Sequence, residues 1–325
     1  MTDQDAVTEQ HPASERRGES HAGASAGVIE RLNVFGIGVS KTTYAEAADA
    51  IVAAGKRHQS FGMTALAVHG LIEAVTNDEF GALINERFDL VTPDGMPVKW
   101  AMNLLHRAGL ESRVAGPEVI WHVFERAERE GVSIFLYGST GETCRLFAEA
   151  ITNRHPNLLI AGIQPDRFRD ATPEEDLADI EVIHDSGAGI VLVGRGCPRQ
   201  ERWVADHRGK VDAAMMAVGA AFDFGAGLKS RPPTLIQRLG LEWAWRLAAE
   251  PKRLWRRYLS TNSRFLALLT TAMVRRASGS TVPVIPTPAP LEGLTARNGA
   301  GSSLPTRAVP NPPVSSDNTT TVTAP

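Results

Sequence analysis

Val132-Ser133-Ile134-Phe135-Leu136-Tyr137-Gly138-Ser139-Thr140-Gly141-Glu142 is the stretch on which the fold turns. Val132 to Tyr137 is a short apolar run of the kind that forms a buried strand. Small residues follow it, and Glu142 to Arg154 then reads as a helix, with a second strand expected from Leu158 to Ile163. The alternation extends in both directions. Further strands are expected at Leu32 to Ile37, Met63 to Val68, Leu90 to Thr92, Ile190 to Val193 and Ala214 to Val218. Helices are expected at Tyr44 to Lys56, Val98 to Leu105, Glu118 to Glu130, Pro173 to His184 and Gln200 to His207. Strand and helix in alternation imply an α/β, Rossmann-like sandwich built on a mainly parallel sheet. No internal repeat interrupts it.

The 325 residues, 43% of them hydrophobic, suffice for a sizeable core and exclude a wholly disordered or collagen-like chain. A net charge of −3 does not suit a protein built around a nucleic-acid backbone. Cys144 and Cys197 lack the spacing of a zinc site and do not staple a chain this long, which fits a reduced, cytoplasmic setting. Residues 1–27 have no aromatic side chain and no periodicity, so they read as a disordered leader without the apolar stretch of a secretory signal. Residues 277–325 hold nine of the 20 prolines and many Ser and Thr, and read as a disordered tail. Between the two, residues 28–240 form the expected α/β core and 241–276 a basic helical appendage.

That appendage carries the charge asymmetry. From Arg246 to Arg276 there are eight basic residues against the single Glu250, interleaved with Trp255, Tyr258, Phe265 and several leucines. Such a composition is shared by nucleic-acid-binding segments, by an interfacial helix on an anionic membrane and by an amphipathic helix packed on its own domain. No apolar run is long enough to span a bilayer.

In an open parallel sheet, ligands bind beyond the carboxyl ends of the strands, so the strand exits are where chemistry is sought. Pro93-Asp94-Gly95 places a carboxylate just ahead of a helix, either as a general base or as an N-cap. Gly138-Ser139 leads into a helix N-terminus, where exposed N–H groups favour a phosphate, although such turns are often mere connections. In Gly196-Cys197-Pro198-Arg199-Gln200-Glu201, glycine lets backbone approach a ligand and Gln200 and Glu201 can read hydroxyls or a base. Val218 to Gly227 ends in an expected flexible loop that runs on to Arg231.

Taken in order, Thr92-Pro93-Asp94-Gly95, Val114-Ala115-Gly116-Pro117-Glu118, Tyr137-Gly138-Ser139, Gly196 to Glu201, Val218-Gly219-Ala220-Ala221-Phe222-Asp223, Leu241-Glu242-Trp243 and the ending from Arg246 to Tyr258 resemble the WecG/TagA/CpsF glycosyltransferase family over about residues 32–265. The resemblance implies an inverting hexosyltransferase, like the UDP-N-acetylmannosamine transferases. Its donor would be a UDP-sugar and its acceptor a polyprenyl-pyrophosphate sugar of cell-envelope or exopolysaccharide synthesis. By the same resemblance Asp94 is the base, and Arg246, Arg253 and Arg256 meet the pyrophosphate, their spacing of seven and three placing them on one helical face. Gln200 binds the donor, with Arg113 in the same pocket. His69 stands where the family carries the asparagine of a Thr-x-Asn, so it is expected at the substrate or capping the next helix. No cofactor and no metal is expected, since residues 28–276 contain no Asp-x-Asp for Mg²⁺ or Mn²⁺. The expected partners are the donor, the acceptor and an anionic membrane surface on the inner face of the cell membrane. A homo-oligomer is left open. Two other readings stand beside this one: a non-catalytic nucleotide-sugar-binding relative, and an oxidoreductase suggested by Gly36-x-Gly38 but lacking its third glycine.

Overall fold

The computed structural model describes residues 29–230, 232–233, 236, 240–278 and 285, so the expected leader and nearly all of the expected tail lie outside the described residues. Six strands form one sheet: β3 (Phe61–Leu66), β4 (Leu90–Pro93), β5 (Ile134–Gly138), β6 (Ile160–Gln164), β7 (Ile190–Gly194) and β8 (Ala214–Ala217). Their order is β4-β3-β8-β7-β5-β6, and every neighbouring pair is parallel. This is the expected α/β, Rossmann-like fold. Strands β5, β7 and β8 are buried along their whole length, which explains why they appear in the sequence as unbroken apolar runs and not as alternations.

The first expected strand is corrected. Leu32 to Ile37 is no single strand of the sheet but the middle of an antiparallel hairpin, β1 (Arg31–Val34) and β2 (Ile37–Ser40). Phe35 and Gly36 form its two-residue turn with φ of 57° and 97°, the left-handed geometry that matches strand twist in tight hairpins. Gly36 and Gly38 therefore belong to this hairpin and do not lead a sheet strand into a helix, which removes the basis of the oxidoreductase reading. The buried Arg31 guanidinium pins the hairpin, donating to the carbonyls of Gly38, Ile84, Asn85 and Phe88 at 2.8–3.3 Å. The hydroxyl of Ser40 accepts from the Val91 N–H and joins β2 to β4.

The helices divide between the two faces. On one lie α1 (Tyr44–Lys56), α5 (Gly116–Glu130), α6 (Gly141–Arg154) and α9 (Gly219–Gly225), packed through Ile51, Val123, Phe147 and Phe222. The hairpin covers the other face with α2 (Val68–Thr76), α3 (Asp78–Arg87), α4 (Met96–His106), α7 (Pro173–Asp185) and α8 (Arg199–His207). Side-chain caps open four of these helices, from Thr43 for α1, Asn77 for α3, Thr140 for α6 and Thr172 for α7. One reading changes here: Val68 opens α2 instead of closing β3, while the fourth exit runs into a short helix, Gly219–Gly225, ahead of the expected loop.

The C-terminal helices are α10 (Glu242–Ala249) and α11 (Pro251–Ala277). Pro251 at the start of α11 lacks the N–H that would continue the preceding helix, so the two are separate. Arg246 accordingly belongs to α10 while Arg253 and Arg256 belong to α11, and the three do not share one continuous helical face as their spacing suggested. Helix α11 packs on α2 and α4, burying Leu254, Thr261 and Phe265, the last edge-on to Phe35 with ring centroids 5.5 Å apart.

Candidate active site

Chain direction creates the site. After β3 the chain passes to α2 on one face, whereas after the neighbouring β8 it passes to α9 on the other; β7 then leads back to α8 on the first face. Reversals of this kind open crevices at the carboxyl ends of adjacent strands. The crevice beside β8 is bordered by Ala67–Gly70, Gly194–Gln200, Val218–Gly219 and the loop into α5. Small residues make it narrow: a Cβ on Gly116 would lie 3.3 Å from the Ala65 Cβ, and one on Gly70 3.6 Å from the Cys197 sulfur.

Asp94 stands one strand over. Its N–H donates to the Leu66 carbonyl at 3.2 Å, which ties the β4 exit to the β3 exit. The N-cap of α4 is Gly95, at φ 92° and without a side-chain cap hydrogen bond, so the Asp94 carboxylate is not the cap of that helix. Instead it lies within electrostatic reach of Arg113 and Tyr44. The Tyr44 hydroxyl accepts from the Ala115 N–H at 3.2 Å, and burial pushes this phenol up to about 12, with the nearby carboxylates of Glu118 and Asp94 adding to the rise. Arg113 is buried, and Nη2 lies 2.6 Å from Oε1 of Glu242 and 3.6 Å from Glu118. Its Nη1 donates to the other oxygen of Glu242, completing a fork. Burial disfavours the charged guanidinium, but the hydrogen bonds and charge of Glu242 outweigh this and hold it above its ordinary value.

Gln200 and Glu201 face inward. Oε1 of Gln200 accepts from the N–H groups of Gly196 at 3.1 Å and Gly219 at 2.9 Å, clamping the β7 and β8 exits together. Its Nε2 donates to Oε1 of Glu201 at 2.9 Å, which also accepts from the Thr64 hydroxyl at 3.1 Å. Thr64 therefore supports Glu201 from within the sheet. Burial pushes the Glu201 carboxyl up, opposed by the Gln200 and Thr64 hydrogen bonds. Both residues thus shape the crevice wall, a role that the sequence reading, which aimed them at a ligand, did not include.

Gly138 and Ser139 lie at the β5 exit, with φ of 114° and 55°. The Ser139 N–H donates to the Gly194 carbonyl at 2.7 Å, and that of Thr143 to the Thr140 side chain at 3.1 Å. These two donors are thus used inside the protein. Beyond this turn, Asp166 is shared by Arg195 at 3.1 Å and Arg199 at 3.2 Å. His69 is the second residue of α2, whose N-cap is Ala67, so it sits at the β3 exit and is not the cap.

The appendage reaches this region through Glu242. Just before it, a Cβ on Gly240 would meet Met96 at 2.9 Å and Trp100 at 2.8 Å, so the chain runs across the first turns of α4, immediately after Asp94. Arg256 is exposed, its guanidinium 5.2 Å from the Trp255 ring centre. Arg231 and the side chains of Arg246 and Arg253 lie outside the described residues. The structure therefore brings together Asp94, Arg113 and Glu242, and separately Gly196, Gln200 and Glu201 around the adjoining crevice. Among the described residues no group of three or more His, Cys, Asp or Glu is arranged to hold a metal ion, and no helix is long and apolar enough to cross a membrane.

A family model described as "Glycosyl transferase WecG/TagA/CpsF family" matches residues 32–279, from the hairpin through the last turn of α11. The match takes in every strand of the sheet, all four exits and the appendage, and it implies a nucleotide-sugar donor and an acceptor. With its parallel sheet and strand-exit site, the chain belongs to the WecG/TagA/CpsF family of glycosyltransferases.

Proposed function

We propose that the protein is an inverting hexosyltransferase that moves a sugar such as N-acetylmannosamine, its uronic acid or glucose from UDP to a polyprenyl-pyrophosphate-linked sugar in envelope or exopolysaccharide synthesis. The observation that carries this is Asp94: a carboxylate at a strand exit, one residue ahead of the N-cap of α4 and within electrostatic reach of Arg113. In this reading Asp94 takes the proton of the acceptor hydroxyl as that oxygen bonds to the anomeric carbon. The bond from that carbon to the UDP oxygen breaks at the same time, and configuration inverts. Charge developing on UDP is met by Arg113 and by the appendage arginines Arg246, Arg253 and Arg256. His69, Gly138, Ser139 and Gly196 border the donor and acceptor, Gln200 and Glu201 hold the wall against them, and Arg231 joins from the loop after α9.

The apolar surface supports a peripheral seat on an anionic membrane. Trp255, Leu259, Leu266 and Met273 are exposed along α11, and the neighbouring α4 exposes Trp100 and Leu104. Spacings of four and seven set the α11 residues in one stripe. Arg276 donates to the Leu104 carbonyl and binds the two helices at this surface. Acceptor lipid arriving in the bilayer plane would then meet α4, the helix that starts just after Asp94.

Turnover of a panel of UDP-sugars with a short-chain polyprenyl-pyrophosphate sugar tests the reading, with and without chelator. Asp94→Asn is expected to lose about 10²-fold or more of the activity, the usual contribution of a general base. Activity within a few-fold of wild type would remove Asp94 as the base. UDP-sugar binding without transfer from any donor would favour the non-catalytic relative.

A further inference from the structure

Arg113 offers its paired N–H edge to one oxyanion at a time, and in this structure Glu242 takes it. A phosphate oxygen pair fits the same fork. Three carboxylates, Asp94, Glu118 and Glu242, surround this single guanidinium. An anionic diphosphate approaching them meets repulsion that falls when one carboxylate leaves. Glu242 is the one placed to leave. It comes from α10, a helix of eight residues bounded by Gly240 in the left-handed conformation (φ 69°) and by Pro251, where α11 starts. Helix α11 keeps its own seat through Leu254, Thr261 and Phe265, so α10 can shift between two chain breaks without unseating it.

We propose that Glu242 is a stand-in for the donor's phosphate: the carboxylate and the nucleoside diphosphate compete for the same edge of Arg113, so donor binding reseats α10. This rests on the nucleotide-sugar reading above. It makes Glu242 a positioning residue that keeps Arg113 oriented and occupied until donor arrives, and it couples the donor site to the appendage by a single exchange of partners. A site whose competent form is present about one-tenth of the time binds its ligand about tenfold more weakly than the open form would.

The test uses the full-length protein and UDP as the probe. Calorimetry is expected to show UDP binding about tenfold more tightly to Glu242→Gln than to wild type, the full gain of an open site. That gain should vanish when Arg113→Lys is added, because the fork is then lost. In the wild-type protein, saturating UDP should lower amide hydrogen-exchange protection across residues 242–249 while leaving 254–265 unchanged, a readout that does not depend on how any variant folds. Wild-type binding of UDP with unchanged exchange in 242–249 overturns the exchange of partners and leaves the donor reading standing. If UDP does not bind the wild-type protein at all, both fall together.

Discussion

Strands β5 and β7 bury every residue they contain, whereas α11 leaves Leu259, Leu266 and Val274 more than 60% exposed. The two regions solve different problems. Within the sheet, apolar side chains leave water for each other, and charged groups that must be buried are paired, as Asp89 is with Arg208. Along α11, one face packs on α2 and α4 while a neighbouring stripe of large apolar residues has no protein cover among the described residues. Isolated exposed leucines are ordinary, but an aligned set beside arginines marks a surface meant for something other than water.

The sharpest way to break this comparison is where the exits of β5 and β7 press backbone against backbone. A Cβ at Gly138 would lie 2.7 Å from the Gly194 backbone, at a φ of 114°. Gly138→Ala is expected to destabilise the fold by about 3 kcal/mol or more, as overpacking and backbone strain add. A denaturation midpoint near wild type would show that the exits are looser than described. On the other region, Trp255→Ser, Leu259→Ser and Leu266→Ser together should leave stability within about 1 kcal/mol, since exposed sites contribute little to folding. Flotation with anionic vesicles should nevertheless fall by about tenfold or more, because each large side chain contributes up to about 1.5–3 kcal/mol when fully buried. Unchanged flotation would remove the lipid role of the stripe.

A smaller effect separates buried charge from exposed charge. Burial raises the Glu201 carboxyl in the folded protein above its unfolded value, so the native state holds its proton more tightly. Its favourable contribution is complete below the ordinary carboxylate range and is lost as pH rises through the raised folded value. Glu201→Gln cannot ionise, and its stability should therefore decline less with rising pH, by up to about 1.4 kcal/mol per pH unit over that window. Parallel stability curves between acid and neutral pH would contradict this. The smallest expected change is in His69→Asn, which keeps a polar side chain at the β3 exit: a roughly two- to tenfold shift in donor preference, the weight of one hydrogen bond. An unaltered donor profile would assign His69 to packing.

The sheet was legible because fully buried parallel strands leave continuous apolar runs, and the exits because Gly, Pro and Asp punctuate them. The errors have equally local causes. Phe35 looks like strand interior, yet it turns the hairpin in a left-handed conformation that few bulky residues adopt. Val68 has strand propensity, but the chain turns into α2 there. In the candidate site, the turn at Pro93-Asp94-Gly95 put a carboxylate at a strand exit but left both base and cap open, and only the family resemblance chose between them. The fork between Arg113 and Glu242 could not be read at all, since it joins residues 129 positions apart and leaves no periodic trace. The inward role of Gln200 was hidden for a related reason: its partners are backbone N–H groups, which every sequence carries.

Phe35 and Phe265 meet edge to face, although one lies in the N-terminal hairpin and the other midway along α11. Closing such a long loop is slow compared with local pairing, and during synthesis the N-terminal segments emerge first. The residues that seat α11 are therefore synthesised long before their occupant, whereas β8, which completes the sheet beside β3, precedes it only shortly. Until that helix docks, its buried and outward-facing apolar residues are equally open to solvent, and the ring of Phe35 helps decide which of them stay exposed afterwards.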